Sequence, residues 1–100
     1  MTRLTFSPRA IEQVDAADEW WRENRQAAPM LFLDELMSTA EMAVANPEIG
    51  RPYPRPGNPK IRRLVMVRTR YHIYYEYRVE EDEIWVMDVW SSLRGTDPPL

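Results

Sequence analysis

His72 is the only histidine in the sequence, and its side chain is the one whose ordinary charge change falls near neutral pH. An imidazole can act as general acid or base, but such chemistry also needs cations to hold the charge that develops. The nearest supply is a basic stretch. Residues 51–70 contain Arg51, Arg55, Lys60, Arg62, Arg63, Arg68 and Arg70 and no acid, seven positive charges in twenty residues. Arg94 adds a cation beyond the last aromatic segment. His72 also has a plainer reading, as a histidine on a half-exposed sheet face bonded to Glu76, Arg94 or water. Basic partners are sparse on its own segment, which favours that plainer reading. Tyr71, Tyr75 and Tyr77 are spaced like a base-stacking platform, yet they share the apolar face that a core would use.

Other chemistries are excluded by composition. The chain has no cysteine, so a thiol nucleophile and a thiolate zinc site are ruled out. With one histidine, a metal site is not expected, and no cofactor motif is present. No apolar run approaches the ~18 residues of a membrane span, and no charged-then-apolar leader opens the sequence, so the expectation is a cytoplasmic chain with no membrane partner. The net charge of −3 conceals an asymmetry. Against the basic stretch, residues 12–48 carry nine acids and only Arg22 and Arg25. A basic side of this kind steers anionic partners even when the whole molecule is acidic.

The elements that must position these groups follow from periodicity. Lys60 to Trp90 holds three segments rich in β-branched and aromatic residues, parted by short polar breaks. Breaks this short permit only antiparallel neighbours, so the prediction is a meander over 60–67, 70–79 and 83–91. Within it Tyr71, Ile73, Tyr75 and Tyr77 share one face, and His72, Tyr74, Glu76 and Arg78 the other. Ile84 to Trp90 is apolar on both faces except at Asp88, which predicts fuller cover.

Arg3 to Phe6 reads as a short strand, and Ser7-Pro8 as the cap and first position of a helix ending near Asn24-Arg25. Ala10, Val14, Ala17 and Trp21 form its apolar stripe, with Ile11 beside them. Trp20 lies about a third of a turn from Trp21, so the two cannot share one narrow stripe, and one packs in the core while the other reaches a flank or a partner. Pro29 opens a second helix whose main face is predicted from Met30, Leu33, Met37, Ala40 and Val44, with Phe32, Leu36 and Ala43 alongside. Asn46-Pro47 ends it. The short join predicts an antiparallel helical hairpin. Residues 47–59, with five prolines, read as a stiff extended loop. The fold class is α+β, βααβββ, a single domain over 1–100 with the hairpin packed on a twisted, mainly antiparallel sheet.

Several segments of this chain resemble the RelE/ParE family of toxins from type II toxin–antitoxin systems. They are Leu4-Thr5-Phe6-Ser7-Pro8-Arg9-Ala10, Phe32-Leu33-Asp34, Asn46 to Pro52, Tyr71-His72-Ile73-Tyr74-Tyr75 and Val89-Trp90-Ser91-Ser92-Leu93-Arg94. The resemblance implies a small toxin neutralised by a cognate, ParD-like antitoxin with a disordered acidic and apolar segment, in a toxin–antitoxin hetero-oligomer. Members that cut messenger RNA on the ribosome carry lysines and arginines on the middle strands, an arginine after the last strand and often a C-terminal tyrosine. Here Leu64-Val65-Met66-Val67 stands where the lysines would be, His72 where an arginine would be, and the C-terminal tyrosine is missing. Only Arg94 matches.

The resemblance therefore implies the ParE branch, inhibition of DNA gyrase by binding, with no catalytic residue. The alternatives are an endoribonuclease built on His72, Arg63 and Arg94, and a non-toxic relative that only binds its partner. For the antitoxin the expected contacts are Trp20, Trp21 and Met30 as apolar walls, with Arg62, Arg63, Arg68, Arg70 and Arg94 meeting its acids.

Overall fold

The computed structural model describes residues 1–100. Its elements run β1 (Arg3–Phe6), α1 (Pro8–Asn24), α2 (Leu31–Ala45), β2 (Arg51–Pro52), β3 (Arg62–Met66), β4 (Tyr71–Arg78) and β5 (Glu83–Ser91). They form one five-stranded sheet in the order β1-β5-β4-β3-β2, with the two helices on one face. β1 pairs parallel to β5, and every other pair is antiparallel. The predicted meander is present, with its first two strands trimmed at both ends. Residues 47–59 are not wholly loop, because Arg51–Pro52 pairs with Arg62 and Arg63 as an edge strand.

β5 lies between β1 and β4, which accounts for its apolar character on both faces. Tyr74 opposes Asp88 and Tyr75 opposes Val86, so Met87 is an extra residue that kinks the strand. Beyond this bulge β1 has ended, and the start of α1 takes over the open edge of β5. Ser7 N–H donates to the Val86 carbonyl at 2.8 Å, Ser7 Oγ to the Met87 carbonyl at 2.8 Å, and Val89 N–H to Gln13 Oε1 at 2.8 Å. Ser7 Oγ also accepts from Ala10 N–H at 3.0 Å, the predicted cap. The fully buried Asp88 receives Arg9 Nη2 at 2.7 Å and Gln13 Nε2 at 2.9 Å.

The core lies between the hairpin and the sheet. α1 contributes Ala10, Ala17 and Trp21, with Val14 partly buried and Ile11 half exposed. Trp21 packs while Trp20 stays 45 % exposed, which separates the two as their angular offset required. α2 departs from its predicted face. Phe32, Leu36, Thr39, Ala40 and Ala43 are buried, whereas Met30 and Met37 are exposed. Phe32 meets Tyr71 edge-on at 4.9 Å, and this aromatic contact turns α2 away from its methionines. Pro29 lies in the turn before α2, which begins at Leu31.

The second sheet face is not left open. Tyr74, predicted there among polar groups, is buried because the proline loop folds under it and sets Tyr53 5.1 Å away. Tyr75 reaches the same loop from the core side. Its hydroxyl donates to the Pro47 carbonyl at 2.8 Å and accepts from Gly50 N–H at 2.9 Å. A Cβ on Gly50 would stand 2.7 Å from that hydroxyl, so only glycine admits this approach.

Candidate functional site

The hairpin does not cover the whole sheet. A groove of about 800 Å³ opens on the helix face where β4 begins and β5 ends. Three segments wall it. α1 supplies Trp20, Trp21 and, at its C-cap, Arg25; the β3–β4 turn supplies Arg68 and Arg70; Trp90 to Arg94 closes the far side. Tyr71 and Val89 line the sheet side. The groove thus combines four arginines with large aromatic surface and a single acid, Glu12. None of the four forms an ion pair within the chain, so their charge is available to a partner.

Local structure fixes each wall. Trp21 Nε1 donates to the Ala28 carbonyl at 2.8 Å, tying the end of α1 to the hairpin turn. Arg25 lies over Trp20, 5.1 Å from its ring centre, and Arg94 over Trp90 at 4.2 Å. Burial pushes the Tyr71 phenol up, and the Arg94 charge opposes that shift. In the β3–β4 turn Arg70 has φ 63, in the left-handed region. The carboxylate of Glu35 holds this turn from α2, and the Arg70 carbonyl accepts from both Ser92 N–H and Ser92 Oγ.

Of the residues expected to meet an antitoxin, Trp20, Trp21, Arg68, Arg70 and Arg94 come together here. Arg62, Arg63 and Met30 do not. Arg62 Nη1 donates to the Gly50 and Glu48 carbonyls at 2.8 and 3.1 Å, bracing the proline loop. Met30 sits in the hairpin turn, its sulfur accepting from Arg22 Nη2 at 3.3 Å. Arg63 projects from the opposite sheet face. The basic stretch is therefore divided: alternation along β3 sends Arg62 and Arg63 to opposite faces, and Arg68 and Arg70 lie beyond the strand in the groove. Arg25 and Trp90 were not singled out by sequence. Arg25 counted there as a helix end and a countercharge on the acidic side, although its spacing of four from Trp21 suits the cation–aromatic contact seen at 5.8 Å.

The opposite face gathers His72, Arg63, Tyr74, Tyr53 and Arg55. Arg55 and Arg63 stand 4.0 and 5.2 Å from the Tyr53 ring centre, and Arg55 bonds the Tyr53 hydroxyl. His72 Nδ1 lies 3.3 Å from the Tyr74 hydroxyl, so its partner is neither Glu76 nor Arg94. Burial, and then the Arg63 charge, hold His72 below its ordinary pKa, which favours the neutral ring. Tyr74 is pushed up, chiefly by burial. Val65, across from His72 on β3, is 49 % exposed. Of the three residues of the endoribonuclease alternative, Arg63 bears on His72, while Arg94 lies over Trp90, the cross-strand partner of His72 on β5.

A helical hairpin on a mixed five-stranded sheet, with a cationic aromatic groove at one end, defines a small α+β domain. Residues 4–94 match the model of the ParE toxin of the type II toxin–antitoxin system parDE. The chain belongs to the ParE toxin family. Its fold is similar to that in the chromosomal ParDE toxin–antitoxin system of P. aeruginosa, with TM-score 0.65 and 21 % identity, covering 91 % of this chain and 96 % of that one. The isolated E. coli RelE toxin is similar at TM-score 0.63 and 18 % identity, covering 95 % and 88 %. The intact E. coli RelBE toxin–antitoxin complex matches at TM-score 0.62 and 18 % identity, covering 94 % and 100 %. No curated protein matches in sequence. No helix is long and apolar enough to cross a membrane.

Proposed function

We propose that this chain is a ParE-like toxin that acts in the cytoplasm by binding DNA gyrase, and that a ParD-like antitoxin neutralises it in a hetero-oligomer. The observation that carries the choice of branch is on the sheet. At the position where RNA-cutting relatives carry lysine, the chain presents Val65, 49 % exposed and directly across from His72. Burial, and then the Arg63 charge, lower the His72 pKa, which disfavours the cation that would hold a phosphate. The unpaired arginines Arg25, Arg68, Arg70 and Arg94 collect instead on the helix face, where they suit the acids of an antitoxin segment. Trp20 and Trp90 give that segment apolar anchors.

One observation favours the endoribonuclease alternative: a neutral His72 beside Arg63 is a base next to a cation. The discriminating experiment is induction of the chain without its antitoxin, following DNA breaks and messenger decay together. DNA breaks and filamentation with stable messengers are expected. Codon-specific messenger cuts that vanish in His72→Ala or Arg63→Ala would replace this reading with the RNA branch. Normal growth at high soluble expression would replace it with a non-toxic binding relative.

A further inference from the structure

The four groove arginines sit on three separate segments, and hydrogen bonds link two of these segments to each other and, through the Glu35 carboxylate, to α2. Glu35, on the sheet side of α2, sends its carboxylate across to the β3–β4 turn. Oε2 accepts from Arg68 N–H at 2.8 Å, and Oε1 accepts from Thr69 N–H at 2.8 Å and from Thr69 Oγ1 at 2.7 Å. Thr69 is 5 % exposed, so its two bonds to Glu35 are sheltered at the base of the turn, while the bond from Arg68 is exposed. The turn passes the constraint on: the Arg70 carbonyl accepts from Ser92 N–H at 2.8 Å and from Ser92 Oγ at 2.7 Å. Ser92 stands two residues before Arg94. One carboxylate therefore anchors the backbone that presents Arg68 and Arg70, and through Ser92 the tail that presents Arg94.

We propose that Glu35 is a positioning residue for the arginine groove: it sets the β3–β4 turn and the tail so that Arg68, Arg70 and Arg94 converge on carboxylates of one bound acidic segment. This rests on the reading of the groove as the antitoxin's seat. Glu35 itself touches no partner in this account. Its role is geometric, and both of its oxygens are used as acceptors. An amide could not replace it. In glutamine one acceptor becomes an NH2 group facing a backbone N–H, which loses a bond and sets donor against donor.

The opposing signs make the idea testable. Charge alone says that Glu35→Gln, which removes a negative charge beside the groove, tightens binding of an acidic partner. Positioning says that it weakens binding. The probe is the product of the adjacent antitoxin gene, titrated onto the intact chain by calorimetry, with thermal melting of every variant as a folding check. A loss of roughly 5- to 30-fold in affinity is expected for Glu35→Gln, the size of one or two hydrogen bonds. In the Arg68→Ala/Arg70→Ala background the same change should cost less than about 2-fold, since only Arg94 is then left for Glu35 to position.

An unchanged or tighter Glu35→Gln complex would overturn the proposal. So would a loss that persists in full in the double-arginine background, because that is the mark of a general structural role. Should Glu35→Gln fail to fold, Thr69→Val removes only the hydroxyl donor and must show the same non-additivity at smaller amplitude. Normal binding by Arg68→Ala/Arg70→Ala itself would instead remove the groove as the antitoxin's seat, a failure of the underlying reading that this arm isolates.

Discussion

Individual side chains in this domain are constrained by what lies within a few ångströms of them. Gly50 shows this most simply, because a Cβ there would press on the Tyr75 hydroxyl that fixes the proline loop. Gly50→Ala should destabilise the fold by about 1–3 kcal/mol, the cost of overpacking a tight site, read by urea unfolding. A cost below a few tenths would show that the loop can shift freely. The His72 pKa is lowered in the fold by burial and by Arg63. The unfolded chain therefore takes up that proton first, so stability should fall as the pH drops below the ordinary value of 6.5. Asp82, lowered by its bonds from Thr2 and Tyr77, adds a separate loss only below 3.8. Thermal melting against pH should show the upper step, and His72→Gln should abolish it while leaving the lower one. His72 was legible in the sequence as a titrating group on a sheet face. Its Tyr74 partner was not, because the loop that buries Tyr74 comes from twenty residues earlier and follows no periodicity.

At the scale of elements, the clearest lesson comes from α2. Two apolar stripes run along it, one through Met30, Leu33 and Met37 and one through Phe32, Leu36 and Ala43. Periodicity identifies both and cannot rank them. The sheet ranks them, since Phe32 finds the Tyr71 ring and the Glu35 carboxylate beside it finds the β3–β4 turn. Leu36→Ala should accordingly cost about 2–5 kcal/mol, while Met37→Ala, on the exposed stripe, should cost less than about 0.5 kcal/mol. Equal costs in denaturant titration would return α2 to the orientation expected from sequence. By contrast, α1 was legible almost in full, because Ser7 and Pro8 mark its start and its stripe has no rival. The meander was legible too, its strand lengths set by the residues that suit a pleated surface. The edge strand β2 was not, since two residues carry no pattern.

Across the whole molecule the sequence showed an acidic half and a basic half, and the structure refines the second. Of the seven cations in residues 51–70, only Arg68 and Arg70 reach the groove; Arg62 braces a loop, and Arg55 and Arg63 stack on Tyr53 on the far face. Electrostatic steering by the groove therefore depends on Arg25, Arg68, Arg70 and Arg94 rather than on the stretch as a whole. Reversal of Arg68 and Arg70 to glutamate should slow antitoxin association at least 10-fold at low salt and much less at high salt, as stopped-flow mixing would show. Reversal of Arg62 should leave the association rate within about 2-fold, because its charge lies away from the groove. That contrast could not be drawn from charge counting, which treats all seven alike.

In the proposed function this ParE-family chain acts on gyrase by binding and breaks no RNA bond of its own. The most direct measurement adds the purified chain to gyrase, relaxed plasmid and ATP, and follows supercoiling and linear DNA on a gel. Supercoiling is expected to stop and linear DNA to accumulate, and both effects should be prevented when antitoxin is supplied before the chain. Unimpaired supercoiling at saturating chain, alongside cleavage of messenger on programmed ribosomes, would contradict it.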